Sequence, residues 1–544
     1  MQFLPVMCPR WFTFTVRILL FALLACNVEA RGKAQHVVLI VWDGMRPGFA
    51  VEKYAPHLVA LRRDGVFFAN NHPVYPSLTN VNGTALATGA EPGRSGIIGN
   101  IEFRPAVDAH KPFDTSEYPD LGQIDSSALT HYLSVPTLVE LLHKSGERTA
   151  ISGSKPVAQL FDRARQRNGE AAKNSFVVYR GKILPRNESG LIETTIGPFP
   201  PRRGLPNDSQ DAWSTRALTD VLWKTDVPKF SLLWLSEPDL SQHESAPGSP
   251  TSLAAIKSSD DDLGKVIAAL KAKNALTSTD LFVVSDHGFS TIDLAVDVAE
   301  RLHAVGFNAV RVRSNRPAKG EILVVTLGGS VAFYVADHDN NTIQRLIEFL
   351  QSSDFAGVIF TRTVSEGSFT FAQALIDTSD APDVLVACRW SDQPNHFGVP
   401  GKIASDIGHT VDQGNHGSLS RYDMHNTLLA TGPDFRRGWT DESPTGNVDV
   451  APTILSILGL EVPNECDGRI LTEAFSDKEP APTSKSQTLE AHKGTWRQRL
   501  RLTRVGRTTY FMEGNGGRTE QAADEPNESR DGKAPHTPAR SGLR

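Results

Sequence analysis

Short apolar segments alternate with helical patterns along most of this chain, and this alternation constrains the fold more than any other feature. Apolar runs typical of buried strands occupy residues 36–42, 149–152, 230–236 and 281–284. Segments with the apolar spacing of a helix occupy residues 54–64, 79–88, 136–144, 252–273 and 449–458. Strands that alternate with helices pack as a parallel sheet covered by helices. We therefore predict an α/β fold with a central, largely parallel sheet flanked by helices.

Residues 101–135, which are rich in loop-forming residues, and residues 297–395 interrupt this alternation. Residues 297–395 carry helix and strand patterns of their own. We interpret them as an inserted, cap-like subdomain that divides a core formed by residues 36–296 and 396–475. The alternative is that they extend the same sheet. Residues 476–544 form a C-terminal extension, in which the composition from Glu513 onward predicts disorder.

The N-terminus has the pattern of a secretory signal peptide, which we assign to residues 1–30. Arg10 and Arg17 precede a short apolar run, and Ala30 is the small residue before the expected cleavage site. The run is shorter than the ~20 residues that a membrane-spanning helix needs, so we predict an exported protein, periplasmic or secreted. Two alternatives are an uncleaved N-terminal membrane anchor and lipoprotein processing at Cys26.

Net charge and cysteine content narrow the possible partners. The formal net charge of −6 gives no electrostatic support for a nucleic-acid partner. Outside the predicted signal peptide, Cys388 and Cys466 belong to no CxxC metal-binding pattern. An oxidising compartment permits a disulfide between them, but their positions in the sequence do not establish one.

Residues able to bind metal ions or attack a substrate occur in five short segments, several of them directly after predicted strands. The carboxyl edge of a parallel sheet is where such folds place their sites. The residues are Asp43, Thr79, Asp239, His243, Asp286, His287 and His416. Each segment alone is weak support for a site, but together they supply only oxygen and nitrogen donors, which suits zinc. Three donors for one ion and four for its neighbour would form a two-metal centre for an in-line displacement.

Thr79 is the candidate nucleophile because we predict it at the start of a helix. There its hydroxyl faces free backbone N–H groups and the positive end of the helix dipole, which favour an alkoxide and an incoming phosphate. The alternative for an isolated threonine at this position is an ordinary helix N-cap.

The order of these motifs resembles the type I phosphodiesterase/nucleotide pyrophosphatase family of the alkaline-phosphatase superfamily. The matching elements are Asp43, Pro76-x-x-Thr79, Glu237-Pro238-Asp239-x-x-x-His243, Asp286-His287-Gly288 and His416-Gly417. The resemblance implies an alkaline-phosphatase-like core that holds two zinc ions or similar divalent metals. It implies one ion bound by Asp239, His243 and His416, and another bound by Asp43, Thr79, Asp286 and His287. It also implies that Asn100 contacts a non-bridging oxygen of the phosphate.

The resemblance further implies a hydrolase of small phosphate esters that acts through a phosphothreonine on Thr79. Related phosphatases with a threonine nucleophile carry a lysine where this chain has Lys155, which would then bind substrate. They also carry an arginine where this chain has Val157. The missing arginine favours phosphodiester or pyrophosphate bonds, and phosphate monoesters are the alternative.

Two more distant alternatives use the same core. A sulfatase needs a (C/S)-x-P-x-R context, which Ser77 and Thr79 lack. A protein that only binds phosphorylated ligands would be expected to have lost a metal ligand, and all seven candidate residues are present.

Overall fold

The computed structural model of the protein describes residues 32–116, 133–162, 174–184, 189–477 and 479–519. The predicted signal peptide at residues 1–30, including Cys26, lies outside the described residues, as does the stretch 520–544. Within the described ranges, no helix combines the length and the apolar character that crossing a membrane requires.

Nine described strands form the central sheet, and the middle of this sheet is parallel. In spatial order they are Trp439–Asp441, Gly65–Phe68, Leu428–Thr431, Thr279–Val284, His36–Trp42, Phe230–Leu235, Thr149–Gly153, Ser175–Tyr179 and Lys182–Leu184. The strand His36–Trp42 pairs in parallel with Thr279–Val284 on one side and with Phe230–Leu235 on the other. Phe230–Leu235 pairs in parallel with Thr149–Gly153. The four strands with site motifs after them are therefore neighbours with the same direction.

Both faces of the central sheet are covered, which explains why its strands are apolar without alternation. Val37, Leu39 and Val41 pack into the apolar core on one face. Val38 and Ile40 pack into a second core on the other face. The α-helices of the described residues outside 297–395 are Pro56–Asp64, Thr79–Thr88, Pro92–Ser95, Leu138–Lys144, Ser189–Ile196, Asp208–Arg216, Asp239–Ser245, Pro250–Ala272 and Val450–Ile457. The predicted α/β fold with a largely parallel central sheet is confirmed.

The predicted helix at residues 136–144 begins two residues later than expected. The sequence pattern starts at residue 136, but the helix spans Leu138–Lys144. The reason is a capping box, in which the Thr137 hydroxyl accepts from the Glu140 N–H and the Glu140 carboxylate accepts from the Thr137 N–H.

Residues 297–395 contribute six strands that hydrogen-bond to one another and form what we call the insert sheet. In spatial order they are Ala309–Val310, Ile322–Thr326, Ser330–Val335, Val384–Cys388, Ala356–Thr361 and Phe369–Thr370. The helices Val298–Ala304 and Asn340–Ser352 pack against this sheet. The strands Ile322–Thr326 and Ser330–Val335 form an antiparallel hairpin, and we call residues 327–329 at its tip the insert turn.

A smaller sheet links this insertion to the core. Its four strands are Trp390–Pro394, Pro400–Asp406, Ser290–Val296 and Gly414–Asn415. Two of these strands flank chemically important sequence: Ser290–Val296 follows the Asp286–His287 motif, and Gly414–Asn415 precedes His416.

The C-terminal extension forms a three-stranded antiparallel sheet from Ser484–Lys493, Trp496–Val505 and Thr508–Arg518. The expected disorder from Glu513 onward is therefore wrong for residues 513–518. The glycines that suggested disorder allow close packing instead, because a side chain at Gly514 would meet Leu419 and one at Gly516 would meet the backbone of Gly357. Cys388 and Cys466 are both buried and free, so they form no disulfide.

Candidate metal centre and nucleophile

The candidate ligands meet at the carboxyl edge of the central sheet. Asp43 follows the strand His36–Trp42, and Asp286 and His287 follow the neighbouring strand Thr279–Val284. Asp239 begins the helix that comes after the strand Phe230–Leu235. His416 arrives from the smaller sheet, directly after Gly414–Asn415. Distant parts of the sequence thus converge because parallel neighbouring strands end at the same edge.

Asp43, Asp286 and His287 form one group of potential metal ligands, all of them buried. The His287 Nε2 atom lies 3.1 Å from Asp286 Oδ2 and 3.6 Å from Asp43 Oδ1. The Thr79 Oγ1 atom lies 3.2 Å from the same His287 nitrogen. The candidate nucleophile therefore lies against this first group.

A second group is centred on Asp239. Its Oδ1 atom lies 3.3 Å from His243 Nε2 and 3.4 Å from His416 Nε2. His287 is shared between the two groups, because one ligand atom each of Asp239, His287 and His416 lies within 4.8 Å of the other two. The rings of His287 and His416 stack with centroids 3.6 Å apart. The structure therefore brings all seven candidates into one cluster.

Each histidine of the cluster is oriented by a backbone carbonyl. The Nδ1 atoms of His287, His243 and His416 lie 2.9, 3.1 and 2.8 Å from carbonyl oxygens of Gly288, Gly414 and Ser77, respectively. Because a carbonyl only accepts, each Nδ1 is assigned as an N–H donor, and in the neutral ring this leaves the lone pair on Nε2. In all three rings Nε2 is the atom that faces the carboxylates.

Each of the three carboxylates presents one oxygen atom to these Nε2 atoms. Asp43 Oδ1, Asp239 Oδ1 and Asp286 Oδ2 are buried and have no hydrogen-bond partner among the described residues. Buried carboxylate oxygens that are left unpaired are costly. Three such oxygens facing the Nε2 atoms of three imidazoles fit a site for divalent cations, and the mixed oxygen and nitrogen donors match the preferences of zinc.

The electrostatics of the cluster agree with this assignment. Burial alone would lower the pKa of His287, but Asp286 and Asp43 raise it to about 9. Burial and then the neighbouring His287 lower the pKa of His416 to about 3. Burial and the nearby Asp286 raise the pKa of Asp43 well above its usual value. The rise in the pKa of His287 and of Asp43 reflects the crowding of buried carboxylates, a negative charge that a bound cation would neutralise, whereas the fall for His416 reflects its burial beside His287.

Lys155 is a cation that the structure places within the cluster. It follows the strand Thr149–Gly153, and its Nζ atom lies 2.6 Å from Asp239 Oδ2 and 2.9 Å from Asp43 Oδ2. Burial would lower the pKa of Lys155, but Asp239 and Asp43 raise it above its usual value. The ammonium group therefore bridges one carboxylate of each ligand group. Val157, where related phosphatases carry an arginine, is buried and packs towards Gly83 of the helix that Thr79 begins.

Thr79 is the first residue of the helix Thr79–Thr88, as predicted. The preceding residue, Leu78, has no side-chain oxygen to cap the first N–H groups. Asn100 lies beside this helix start, because its Oδ1 accepts from the Asn80 N–H at 2.8 Å. This bond occupies the amide oxygen of Asn100 and leaves its NH₂ group to donate to a substrate.

Sequence reasoning missed several residues that surround the cluster. The Trp234 Nε1–H donates to Asp43 Oδ2 at 2.8 Å. The His409 ring stacks on the His243 ring at 4.6 Å. Asn447 donates to the Asp286 carbonyl at 2.7 Å. Trp234 lies within an apolar strand and His409 within a loop, so neither stands in a pattern that would have indicated its place.

Known proteins resemble this chain in sequence and in fold. The human ectonucleotide pyrophosphatase/phosphodiesterase family member 7 is 22% identical over 454 residues, which cover 82% of this chain and 84% of the human protein. A venom phosphodiesterase of Macrovipera lebetinus is 23% identical over 263 residues, which cover 47% of this chain and 26% of the venom enzyme. The structure of murine ectonucleotide pyrophosphatase/phosphodiesterase 5 has the same fold, with a TM-score of 0.57 at 18% identity, and covers 81% of this chain and 100% of the murine chain.

The family itself follows from a match over most of the chain. Residues 37–393 match the family described as type I phosphodiesterase / nucleotide pyrophosphatase. This stretch contains Asp43, Thr79, Asp239 and the Asp286–His287 pair, and thus all of the convergent motifs except His416. The chain belongs to the type I phosphodiesterase / nucleotide pyrophosphatase family.

Proposed function

We propose that this protein is a two-zinc hydrolase that cleaves phosphodiester or pyrophosphate bonds through a phosphothreonine intermediate on Thr79. The observation that carries the proposal is the contact between the Thr79 hydroxyl and a cluster of three carboxylates and three histidines. In this cluster the Thr79 Oγ1 atom lies 3.2 Å from His287 Nε2. A hydroxyl at that place is within reach of any cation that the cluster holds.

Two sets of residues would hold the ions. Asp43, Asp286 and His287, with Thr79, form one set, and Asp239, His243 and His416 form the other. Bound zinc supplies Lewis acidity, which lowers the pKa of a hydroxyl and stabilises charge on phosphoryl oxygens.

The groups of the chain itself account for the bond changes. The Thr79 hydroxyl gives up its proton and its oxygen forms a bond to phosphorus, while the bond from phosphorus to the leaving oxygen breaks and that oxygen takes up a proton. Water then gives up a proton and attacks the same phosphorus, and the Thr79 oxygen leaves and regains a proton. The start of the helix Thr79–Thr88 places the positive end of its dipole at the phosphate. The Asn100 NH₂ group donates to a non-bridging oxygen and stabilises the added charge.

The choice between diesters and monoesters depends on the cations around the phosphate. A monoester dianion needs more positive charge than a diester. Val157 is buried against the helix Thr79–Thr88, which we call the nucleophile helix, and supplies no positive charge. Lys155 is paired with two carboxylates at 2.6 and 2.9 Å, so much of its charge is already balanced. These contacts favour diester or pyrophosphate substrates. Monoester hydrolysis, with Lys155 bound to the phosphate, is the second candidate.

Nucleotides are the first substrates to test. A structure of the murine relative contains AMP, and the human relative is named an ectonucleotide enzyme. The human relative is named an ectonucleotide enzyme and the Macrovipera relative a venom enzyme, and both names support our proposal that this chain is exported after removal of residues 1–30. Processing at Cys26 would instead attach it to a membrane.

The insertion is proposed to act as a cap on the site. Its insert turn packs against the His416 loop, since the Gly329 N–H donates to the His416 carbonyl at 2.8 Å. We propose the boundaries 36–296 and 396–475 for the core and 297–395 for the cap.

The test compares hydrolysis of bis-p-nitrophenyl phosphate with that of p-nitrophenyl phosphate by the zinc-loaded protein. We expect a preference for the diester and, for Thr79→Ala, a loss of at least about 10³-fold in kcat. Thr79→Ser is the matched control, since it keeps a hydroxyl at the same atom and should retain part of the rate. A preference for the monoester would support the second candidate. No turnover of either ester, with zinc bound, would contradict both.

A further inference from the structure

We infer that Asn447 is a positioning residue that fixes the nucleophile helix against the Asp286–His287 turn. The inference rests on the proposed function and adds to it a residue that touches neither the substrate nor the metal ligands' side chains. It is carried by a buried network of four asparagine side chains, which we call the amide network: Asn71, Asn82, Asn426 and Asn447.

Asn447 joins the two halves of the site through one NH₂ group. Its Nδ2 donates to the backbone carbonyl of Asp286 at 2.7 Å and to the Asn82 Oδ1 atom at 3.1 Å. Asp286 is a candidate metal ligand, and Asn82 lies three residues after Thr79 on the same helix. The Asn447 Nδ2 atom therefore bridges the Asp286–His287 turn and the nucleophile helix.

Asn82 passes this constraint on to Thr79. Its Oδ1 also accepts from the Val74 N–H at 2.8 Å, and its Nδ2 donates to the Leu78 carbonyl at 3.2 Å. Leu78 immediately precedes Thr79. The segment that leads into the nucleophile is thus held by the same side chain that receives the hydrogen bond from Asn447.

The side-chain oxygen of Asn447 is constrained as well. Its Oδ1 accepts from Asn426 at 3.0 Å and from Asn71 at 3.3 Å. The Asn426 NH₂ group also donates to the carbonyl of Ser285, beside Asp286. Asn447 therefore uses both hydrogens and both lone pairs, so its side chain has one orientation that satisfies every partner.

All four amides of the network have 0% exposure, so water cannot replace a lost partner without entering the core. Amides do not titrate, which makes the spacing that they set independent of pH. An error of about 1 Å in the placement of reacting groups can cost roughly 100-fold in rate. The amide network is placed to prevent such an error between Thr79 and His287.

The experiment uses zinc-loaded full-length protein with Asn447→Ala, and with Asn395→Ala as the matched control. Asn395 is also buried and makes four hydrogen bonds, to Pro247, Thr291, Phe397 and Val399. For Asn447→Ala we expect a fall in kcat of about 30- to 100-fold towards bis-p-nitrophenyl phosphate. We expect KM to change by less than about threefold and the zinc content to stay the same. For Asn395→Ala we expect a similar loss of Tm with kcat within about threefold of the wild-type value.

Asn447→Ser keeps one donor at this position and should give a kcat between those of the wild type and Asn447→Ala. If Asn447→Ala does not fold, this serine variant is compared with Asn395→Ser by the same criteria. The positioning role is wrong if Asn447 variants keep the wild-type kcat, if they lose zinc, or if the Asn395 variants lose as much kcat. A wild-type protein that binds zinc but hydrolyses no phosphodiester would overturn the proposed function, and the positioning role with it.

Discussion

At the residue scale, hydrogen-bond partners orient the candidate metal ligands. Asp43 shows this clearly, because its two oxygens have different roles. Its Oδ2 accepts from Trp234 Nε1 at 2.8 Å and from Lys155 Nζ at 2.9 Å. Its Oδ1 has no hydrogen-bond partner among the described residues and faces His287. The two donors thus turn one oxygen away from the cluster and the other into it.

Trp234→Phe tests this role. The change keeps an aromatic ring in the strand and removes the N–H that holds Asp43 Oδ2. Loss of such an orienting partner typically weakens metal binding by about 10- to 100-fold. We expect a reduction of that size in zinc affinity, measured by competition with a chromophoric chelator. Trp223→Phe is the control, since Trp223 is also fully buried and its Nε1 donates to Ser231 at 2.9 Å, away from the ligands. Equal zinc affinities for the two variants would show that the Trp234 hydrogen bond has no orienting role.

At the element scale, the sequence predicts what depends on neighbours along the chain. The central strands, the helix that Thr79 begins and the polar residues after each strand all follow from local patterns. The amide network does not, because Asn71 and Asn447 lie 376 residues apart and buried asparagines follow no period. The bridging position of Lys155 was missed for the same reason: its partners Asp43 and Asp239 lie 112 and 84 residues away.

The insert turn is another long-range contact that the sequence does not reveal. Gly328 and Gly329 allow it to approach the His416 loop closely, and the Ser330 hydroxyl donates to the Gly417 carbonyl at 2.6 Å. Tyr75, four residues before the candidate nucleophile Thr79, has its hydroxyl 3.1 Å from the same serine oxygen. The insertion therefore contacts both sides of the site through a single hairpin.

Gly329→Ala tests whether this contact matters for activity. An added Cβ would lie 2.9 Å from the Ser418 N and Cβ atoms, which forces the insert turn and the His416 loop apart. We expect a fall in kcat/KM of about tenfold or more, since His416 is displaced with its loop. The control is Gly48→Ala, where an added Cβ meets no atom within 4 Å. Diester hydrolysis and Tm are measured for both, and an active Gly329→Ala enzyme would rule out a role of the insert turn in holding His416.

At the scale of the whole molecule, the two edges of the central sheet have different roles. The carboxyl edge holds the candidate metal ligands. The opposite edge holds the beginning of the described chain, where the Asp434 carboxylate accepts from the Lys33 and Ala34 N–H groups at 2.6 and 2.9 Å. Asp280, near the start of the strand Thr279–Val284, lies beside Asp434, whose N–H donates to it at 3.3 Å. Stability effects at this edge can therefore be separated from the chemistry at the other.

Asp280 makes stability depend on pH at the edge remote from the site. Burial and the neighbouring Asp434 raise the pKa of Asp280 from 3.8 to about 9. Between these two values the folded state holds a proton that the unfolded state has released, so the free energy of unfolding falls as pH rises. The stabilising contribution is complete below about pH 4 and is lost as pH rises through about 9.

Asp280→Asn removes this titration while keeping one acceptor and one donor at the position. We expect the Tm of the variant to approach and then exceed that of the wild type as pH rises from about 4 to about 9, by a few degrees at the upper end. Asp211, whose pKa burial and Glu237 raise to about 8, should leave a residual slope in both proteins. Thermal unfolding at several pH values checks the expectation, and hydrolysis per folded molecule should be equal at each pH because Asp280 lies far from Thr79. A constant difference in Tm across the range would show that Asp280 does not carry the raised pKa.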